Sequence, residues 1–463
     1  MEAAVKATPR GREETRYAYY TRVAASVSNT IQEYLPETFV AWSKTTGTTG
    51  RSKSLVLCDS FMKNLEESQM ASMAFACTES WGETRLREGF KCFVVLAPVP
   101  YLSGYVGALL RKYRFVAVPP AQAIDSVTDM RKRFYIALDM IEKGARIDIA
   151  GGSASTFYLA CRYFSERSKF FKEYYESMDL SLEKLYFLYK WIGAQIGSRR
   201  FDLKTLFPVK GIPLFGSDTS YYSRFIRDAF GLEPENIYAS TELGLAMFSP
   251  PDKKRVLMPN VKGVFLEFLD ENGNLFGIEE IKRNNMYTLV GTPFGTPLIR
   301  YNIGDSFRVD SIRDDGMPLF TFEGRTNDFL ELYGYARITE AEIAEAMRRA
   351  GVGISDRWAI TKLTEPNEHL GVLMEKEWEY DEKEASRRIF KGLLEASSSI
   401  ADYVQAFKIK NEEQVIEVNY LRKGAFLRFM QQKTRSGAPL GQMKPPKIIP
   451  VNRMDTYEML RSI

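Results

Sequence analysis

Apolar stretches alternate with helix-like segments through the first half of the chain. The runs KSLVLCD (53–59), KCFVVLAPVP (91–100), RFVAVPPAQ (114–122) and IDIAGG (147–152) read as strands, and a Tyr- and Phe-rich run from about 155 to 190 reads as helical, as do the first 40 residues. Strands that alternate with helices predict α/β units. Past about residue 255 the pattern changes to short strands broken by turn chemistry. In VFLEFLDENGNLFG the Asn272-Gly273 pair is a hairpin signal, so this part reads as a β-rich subdomain.

Polar and charged residues interrupt the apolar pattern at Gly324-Arg325-Thr326-Asn327, and the chain restarts there as a compact α+β unit. The spacing of Thr339 and Glu342 predicts a capping box, in which hydroxyl and carboxylate satisfy each other's backbone donors. Ile343, Ala346, Met347 and Ala350 then share one face of the following helix. The expected fold is α/β: a large N-terminal domain of αβ layers with a β-rich subdomain over 1–325, and a small, mobile α+β domain over 326–463.

Composition narrows the function classes. At 463 residues two or more domains are expected. With 45% apolar and 26% charged residues the chain reads as an ordinary globular protein. A net charge of +4, from 63 basic and 59 acidic residues, carries no nucleic-acid footprint. No apolar run approaches the roughly 20 residues that span a bilayer. The N-terminus lacks the apolar core of a signal peptide, so neither a nucleic acid nor a membrane is expected as a partner and the expected compartment is the cytoplasm. Cys58, Cys77, Cys92 and Cys161 form no C-x-x-C pair and are expected to be buried thiols. The single histidine, His369, leaves no H-E-x-x-H motif and little room for a Ser-His-Asp triad. Chemistry in this chain has to run on lysine, carboxylates, backbone donors and a cofactor.

The segment TTGTTGRSK (45–53) has the composition of a phosphate-binding loop. It is not a Walker A loop, because counting from Gly47 the second required glycine falls on Ser52. Gly47 and Gly50 permit tight turns with exposed N–H groups, Thr45, Thr46, Thr48 and Thr49 offer hydroxyl donors, and Lys53 supplies a charge, a set that suits a triphosphate. Taken alone the segment reads equally well as a polar hairpin turn.

Three more segments follow in order: YASTELG (238–244), RYNIGD (300–305) and GRTNDFLELYGYARITEAEI (324–343). In this order and spacing the four resemble the core motifs of the acyl-adenylate-forming ligases, over roughly residues 40 to 450. The second half, with VLMPNVKGVFLEFLDENG (256–273), RYNIGDSFRV (300–309) and LRKGAFLRFMQQKTRSGAPLGQMKPPK (421–447), is similar to the plant auxin and jasmonate amido synthetases, the Gretchen Hagen family.

The resemblance implies a two-step ligase using ATP and Mg2+, which adenylates a carboxylic acid and passes the acyl group to an amine acceptor such as an amino acid. A thioester-forming CoA ligase is the alternative enzyme, and a non-catalytic nucleotide-binding protein is the alternative of another class. Carried over residue by residue, it implies Glu242 as the magnesium-associated carboxylate and Asp305 as acceptor for the ribose hydroxyls. Tyr238 would pack on adenine, with Ala239, Ser240 and Thr241 presenting backbone and hydroxyl groups. Arg325 would meet the nucleotide at the domain joint, and Thr326 and Asn327 would form the hinge. Lys444, in Gln-x-Lys-x-Pro, would bring a charge from the small domain into the site, with Lys447 as its competitor. The acyl pocket is expected near Val99, Tyr101, Gly216 and Ser217. Two departures stand out: Ser52 replaces the usual proline before the loop lysine, and Asn327 replaces an aspartate.

Overall fold

The computed structural model describes residues 22–23, 32–35, 37–44, 54–127, 130–177, 203–215, 219–325, 330–332, 336–352, 357–365, 367–406, 408–435, 447–449 and 454–463, with isolated positions between 185 and 195. The segment 45–53, Gly216, Ser217, Thr326, Asn327 and Lys444 lie outside them.

The central layer is a seven-stranded sheet. Its first five strands in spatial order, Val116–Val118, Lys91–Val94, Ile149–Ser153, Pro213–Phe215 and Glu235–Ser240, run parallel, and the antiparallel strands Gly244–Phe248 and Met258–Pro259 complete it. The strands expected near 91–100, 114–122 and 147–152 all lie in this sheet. Within KSLVLCD, Ser54–Cys58 forms a strand too, but it pairs antiparallel with Phe39–Lys44 in a separate two-stranded ribbon. Helical structure was expected up to residue 40; instead a strand starts at Phe39 and buries Ala41 and Trp42.

The Tyr- and Phe-rich run becomes the helices Ala154–Ser165 and Arg167–Ser177. Phe157 stacks on Phe230 with ring centroids 5.6 Å apart, and Phe164 meets Phe207 edge-on. These rings fill one face of the sheet. The other face is covered by the helices Asp59–Ala76 and Leu102–Leu109. The first N–H groups of Asp59–Ala76 are satisfied from outside the helix: Cys58 N donates to Gly295 O, Asp59 N to Thr38 O, and Ser60 N to the Glu37 carboxylate. A β-carbon on Gly295, whose φ is +75°, would sit 2.2 Å from Phe61 N, so only glycine closes this joint.

The β-rich subdomain is a five-stranded antiparallel sheet built from Val264–Leu269, Leu275–Phe276, Met286–Pro293, Tyr301–Ile312 and Pro318–Arg325. The Asn272-Gly273 hairpin is present, with Gly273 at φ +83° and the Asp270 carboxylate accepting from Asn272 N and Asn274 N. From Leu330 a separate apolar core begins, made only of residues 330–448. Its four-stranded sheet holds Ile416–Leu421, His369–Glu375, Trp358–Leu363 and Ile448–Ile449. The capping box at Thr339 and Glu342 forms, and Ile343, Ala346 and Met347 are buried.

The motif Gly424-Ala425-Phe426 has a structural task in this unit. Glu375 is fully buried, and its carboxylate accepts from Gly424 N at 2.8 Å and Phe426 N at 2.9 Å, capping the helix Ala425–Arg435. Gly424 takes φ +81°, which frees its N–H for that contact.

Candidate active site

Strand Glu235–Ser240 runs from a fully buried start to an exposed end at Ala239. A turn over Thr241, Glu242 and Leu243 follows, closed by Leu243 N donating to Ser240 Oγ at 3.0 Å, and Gly244 at φ +72° starts the return strand. Tyr238 to Glu242 therefore sit outside the carboxyl ends of the parallel strands, where α/β sheets bind their ligands. Glu242 is half-buried in this turn.

The antiparallel sheet delivers Asp305 to the same place. Strand Tyr301–Ile312 pairs Asn302 with Val290 and Ser306 with Thr288, so Ile303, Gly304 and Asp305 face a single residue of the partner strand. This bulge turns the strand sharply at Gly304, φ +76°, with Gly304 N donating to the Asn302 side chain at 2.9 Å. Tyr238 Oη donates to Asp305 Oδ2 at 2.5 Å, and the Tyr238 ring stands edge-on to Phe307 with centroids 4.9 Å apart. Asp305 is only 7% exposed. Tyr238 is thus a positioning partner of Asp305 as well as a surface on which a base could pack.

The register also places Arg325 directly across from Asp305, joining two motifs that are 20 residues apart. At the head of the same strand, Arg300 makes a two-pronged ion pair with the buried Glu267 at 2.9 and 3.0 Å. A planar guanidinium on both carboxylate oxygens fixes the strand entry more tightly than a lysine would.

Beside these residues a cavity of about 280 Å3 runs between the sheet and the helices Asp59–Ala76 and Leu102–Leu109. Lys44, Tyr101, Ser103 and Ala239 to Thr241 are its more exposed lining residues and mark its open side. Lys44 N donates to Pro100 O at 3.0 Å, and Lys44 pairs with Ser54, so the ribbon that carries the segment 45–53 is fastened at this mouth. The deeper walls are mostly apolar, with Phe93, Leu96, Leu110, Ile149 and Phe215 among them.

Among the expected pocket residues, Tyr101 lines the cavity and Val99 does not. Val99 is buried with Phe61 and Leu102, because the turn that carries it packs tightly on Gly104, where a β-carbon would lie 2.3 Å from Val99 N. Phe215 lines the cavity just before Gly216 and Ser217.

Three polar residues that sequence reading passed over stand at the inner end. Gln69 and Ser72 line the cavity, and Ser72 Oγ donates to the fully buried Glu235 at 3.1 Å. Burial pushes the Glu235 carboxyl well above the usual carboxylate range, against the pull of Ser72 and the nearby Lys254. Burial lowers the Lys254 ammonium in turn. A signal existed: Ser68, Gln69 and Ser72 fall on the same helix face as Leu65, Met73 and Ala76, which places polar residues on an apolar stripe.

The structure describes the competitor, Lys447. Lys447 Nζ lies 4.3 Å from the ring centroid of the buried Trp358, and Lys447 O accepts from Ile360 N. This cation–π contact sets Lys447 against the small unit's own core. The four cysteines are free and buried, with Cys77 and Cys92 pushed up to about 12 by burial.

No family model matches the chain. Over 221 residues, 44% of its length, it is 25% identical to jasmonoyl--L-amino acid synthetase JAR4 of Nicotiana attenuata, and the match spans 37% of that relative. The whole architecture is similar to AtGH3.15 acyl acid amido synthetase in complex with 2,4-DB: TM-score 0.65 and 15% identity, over 97% of this chain and 90% of that one. A 2-hydroxyisobutyryl-CoA ligase in the postadenylation state, in complex with R3-HIB-AMP, matches with TM-score 0.56 and 14% identity over 100% of this chain and 87% of the other. The fold is therefore the one that amide-forming and thioester-forming members of the adenylate-forming ligases share. The chain resembles the acyl acid amido synthetases in sequence as well as in fold.

Proposed function

We propose that this chain is an ATP-dependent acyl acid amido synthetase, which converts a carboxylic acid to its acyl-AMP and transfers the acyl group to an amine, an amino acid being the favoured acceptor. The observation that carries the reading is the placement of a buried Asp305, held by Tyr238, at the carboxyl end of the sheet beside a largely apolar cavity. A carboxylate there offers two acceptor oxygens to the ribose diol. The cavity beside it suits an acid with an apolar body.

In the first step a carboxylate oxygen bonds to the α-phosphorus, the bond to the bridging oxygen breaks, and pyrophosphate leaves. In the second the amine attacks the acyl carbon, loses a proton, and AMP departs with the bond electrons. Two anions must approach each other in the first step, so charge neutralisation and alignment dominate the barrier. On this reading the segment 45–53 holds the outer phosphates, and Ala239, Ser240 and Thr241 flank the adenylate. Arg325 and Lys444 supply positive charge, with residues 326 and 327 as the hinge between a domain ending at 325 and a lid over 326–463. The separate apolar core that begins at Leu330 supports that division.

Glu242 is the residue that would hold Mg2+. Among the described residues no group of three metal-ligating side chains gathers. A single half-buried carboxylate in the turn after Ser240 is compatible with an ion that takes most of its remaining ligands from phosphate and water. When bound, magnesium neutralises phosphate charge. The cytoplasm is the proposed compartment, a reading the four free thiols support. Among the described residues no helix is long and apolar enough to cross a membrane.

The test is pyrophosphate release from Mg-ATP with a panel of aryl and alkyl acids, with amino acids, CoA or no acceptor, and with Lys444→Ala in parallel. Acid-dependent release that falls by at least about 100-fold in the variant is expected. Stimulation by amino acids supports amide synthesis, and stimulation by CoA moves the assignment to a thioester ligase. ATP binding without release for any acid would overturn the catalytic reading.

A further inference from the structure

The amino ends of the parallel strands hold a second, open cavity of about 510 Å3, which shares no lining residue with the one beside Asp305. Its walls come from Lys210, ahead of strand Pro213–Phe215, from Gly231 to Glu233, ahead of strand Glu235–Ser240, and from Pro251 to Val256, after strand Gly244–Phe248. The candidate adenylate site lies past the carboxyl end of Glu235–Ser240, and the five steps of that strand put about 16 Å between the two.

Five basic and three acidic residues line this second cavity. Each acid is already matched. Glu79 pairs with Arg85, Glu233 pairs with Arg255 at 3.1 Å and Arg227 at 3.2 Å, and Asp252 accepts from Trp81 Nε1 at 2.8 Å with Arg313 at 4.0 Å. Arg227 and Arg313 come from outside the lining, so the lysines of the wall are left over. The Lys210 and Lys253 ammonium groups have no hydrogen-bond or ion-pair partner among the described residues. Lys204 has none there either, and it stands beside the wall: a β-carbon on Gly231 would lie 3.6 Å from Lys204 Nζ. Lys254 Nζ donates to Ala76 O at 3.1 Å, which leaves two of its three N–H groups, and the buried Glu235 is near it without an ion pair between them.

Like charges around one concave surface raise the local potential, and an anion seated among them lowers it and takes up their unused donors. The two guanidinium forks of the wall are engaged by carboxylates, and the lysines that remain act as point charges, a mode in which lysine binds phosphate. We propose that this cavity is a binding site for a small phosphate-bearing anion, separate from the adenylate site, with Lys210 and Lys253 as its main contacts and Lys204 and Lys254 beside them. The lining carries two more positive than negative side chains, which matches the charge of about −2 on a phosphate monoester. The site does not depend on the adenylation reading.

The experiment is calorimetric titration with inorganic phosphate, glycerol 3-phosphate and succinate, each with and without saturating α,β-methylene-ATP, at low ionic strength where such contacts are least screened. Both phosphates are expected to bind, unhindered by the ATP analogue and more tightly than succinate. Tighter binding of glycerol 3-phosphate assigns an organic ester, and equal or tighter binding of inorganic phosphate assigns the free ion. Lys210→Ala combined with Lys253→Ala should weaken binding by about tenfold or more. Those two lysines have no side-chain partner to lose among the described residues, so the double variant should fold as the wild type does. Lys383→Ala combined with Lys391→Ala removes the same charge from exposed positions on the helix Glu382–Ala396 and should leave binding nearly unchanged. No phosphate binding, equal weakening by both variant pairs, complete competition by the ATP analogue, or succinate binding as tightly as phosphate overturns the proposal. None of these outcomes bears on acid-dependent pyrophosphate release, which tests adenylation separately.

Discussion

Two buried glutamates, one in each half of the molecule, show how differently a fold can treat the same side chain. Glu375, in the small C-terminal unit, gives each carboxylate oxygen a backbone N–H and has Arg357 at 3.4 Å. Glu235, next to Ser72 of the cavity wall, has Ser72 on one oxygen and, among the described residues, no hydrogen-bond partner on the other. Burial raises both carboxyls, and at Glu375 the guanidinium and the two N–H groups work against that rise. The first is a satisfied joint between a strand and a helix. The second is a polar group left short of partners beside a cavity, the condition in which a site can respond to what enters it.

The strongest way to break this contrast is Glu375→Ala. It strips two helix N–H groups of their acceptor and leaves Arg357 without its buried partner, so unfolding free energy should fall by about 3 kcal/mol. A denaturant midpoint measures it, and a loss under about 1 kcal/mol would mean the joint is not structural.

A smaller effect distinguishes Glu235 by pH. Its folded pKa lies above the ordinary 4.5, so the native state holds the proton more firmly than the unfolded chain. The resulting stability is complete below pH 4.5 and is lost as the pH rises toward the folded value, at up to about 1.4 kcal/mol per pH unit. Glu235→Gln should remove that slope, matching the wild type in acid and exceeding it at neutral pH. Thermal unfolding across the window reads this out, and parallel curves for the two proteins would mean Glu235 stays ionised.

Smallest of the three is Ser72→Ala, which removes one neutral hydrogen bond at about 1 kcal/mol. It sharpens the comparison because no single hydroxyl supports Glu375. A loss near 3 kcal/mol would show that Ser72 holds a charge rather than a neutral acid.

Much of the fold was legible in the chain. Strand–helix alternation predicted the α/β units, Asn272-Gly273 predicted the hairpin, and Thr339 with Glu342 predicted the capped helix. Each is a local signal, because backbone periodicity and turn chemistry act over a few residues. The strand at Phe39–Lys44 was missed because its burial pattern does not alternate strictly, with Ala41, Trp42 and Ser43 all buried. In the candidate site, Tyr238, Asp305 and Arg325 were named from the family resemblance, and the structure brings Tyr238 and Asp305 into contact and pairs Arg325 with Asp305 across two strands. That the tyrosine holds the aspartate, and that a bulge presents it, could not be read from spacing, since both depend on how two sheets meet. Val99 was placed in the pocket by its position in the chain and lies in the core because Gly104 draws its turn inward.

By itself the sequence determined the kind of chemistry open to this protein: one histidine, no paired cysteines, and carboxylates, lysines and a hydroxyl-rich loop in a fixed order. Tertiary structure alone decided what the cavity is made of. Gln69, Ser72, Cys92 and Ile149 line it from three separate elements, and Ser72 joins it to Glu235 on a fourth, so no single element shows which residues meet there. A side chain's burial and its missing partner are properties of the packed whole, and hydrogen bonding and desolvation are settled only when distant segments have closed around it.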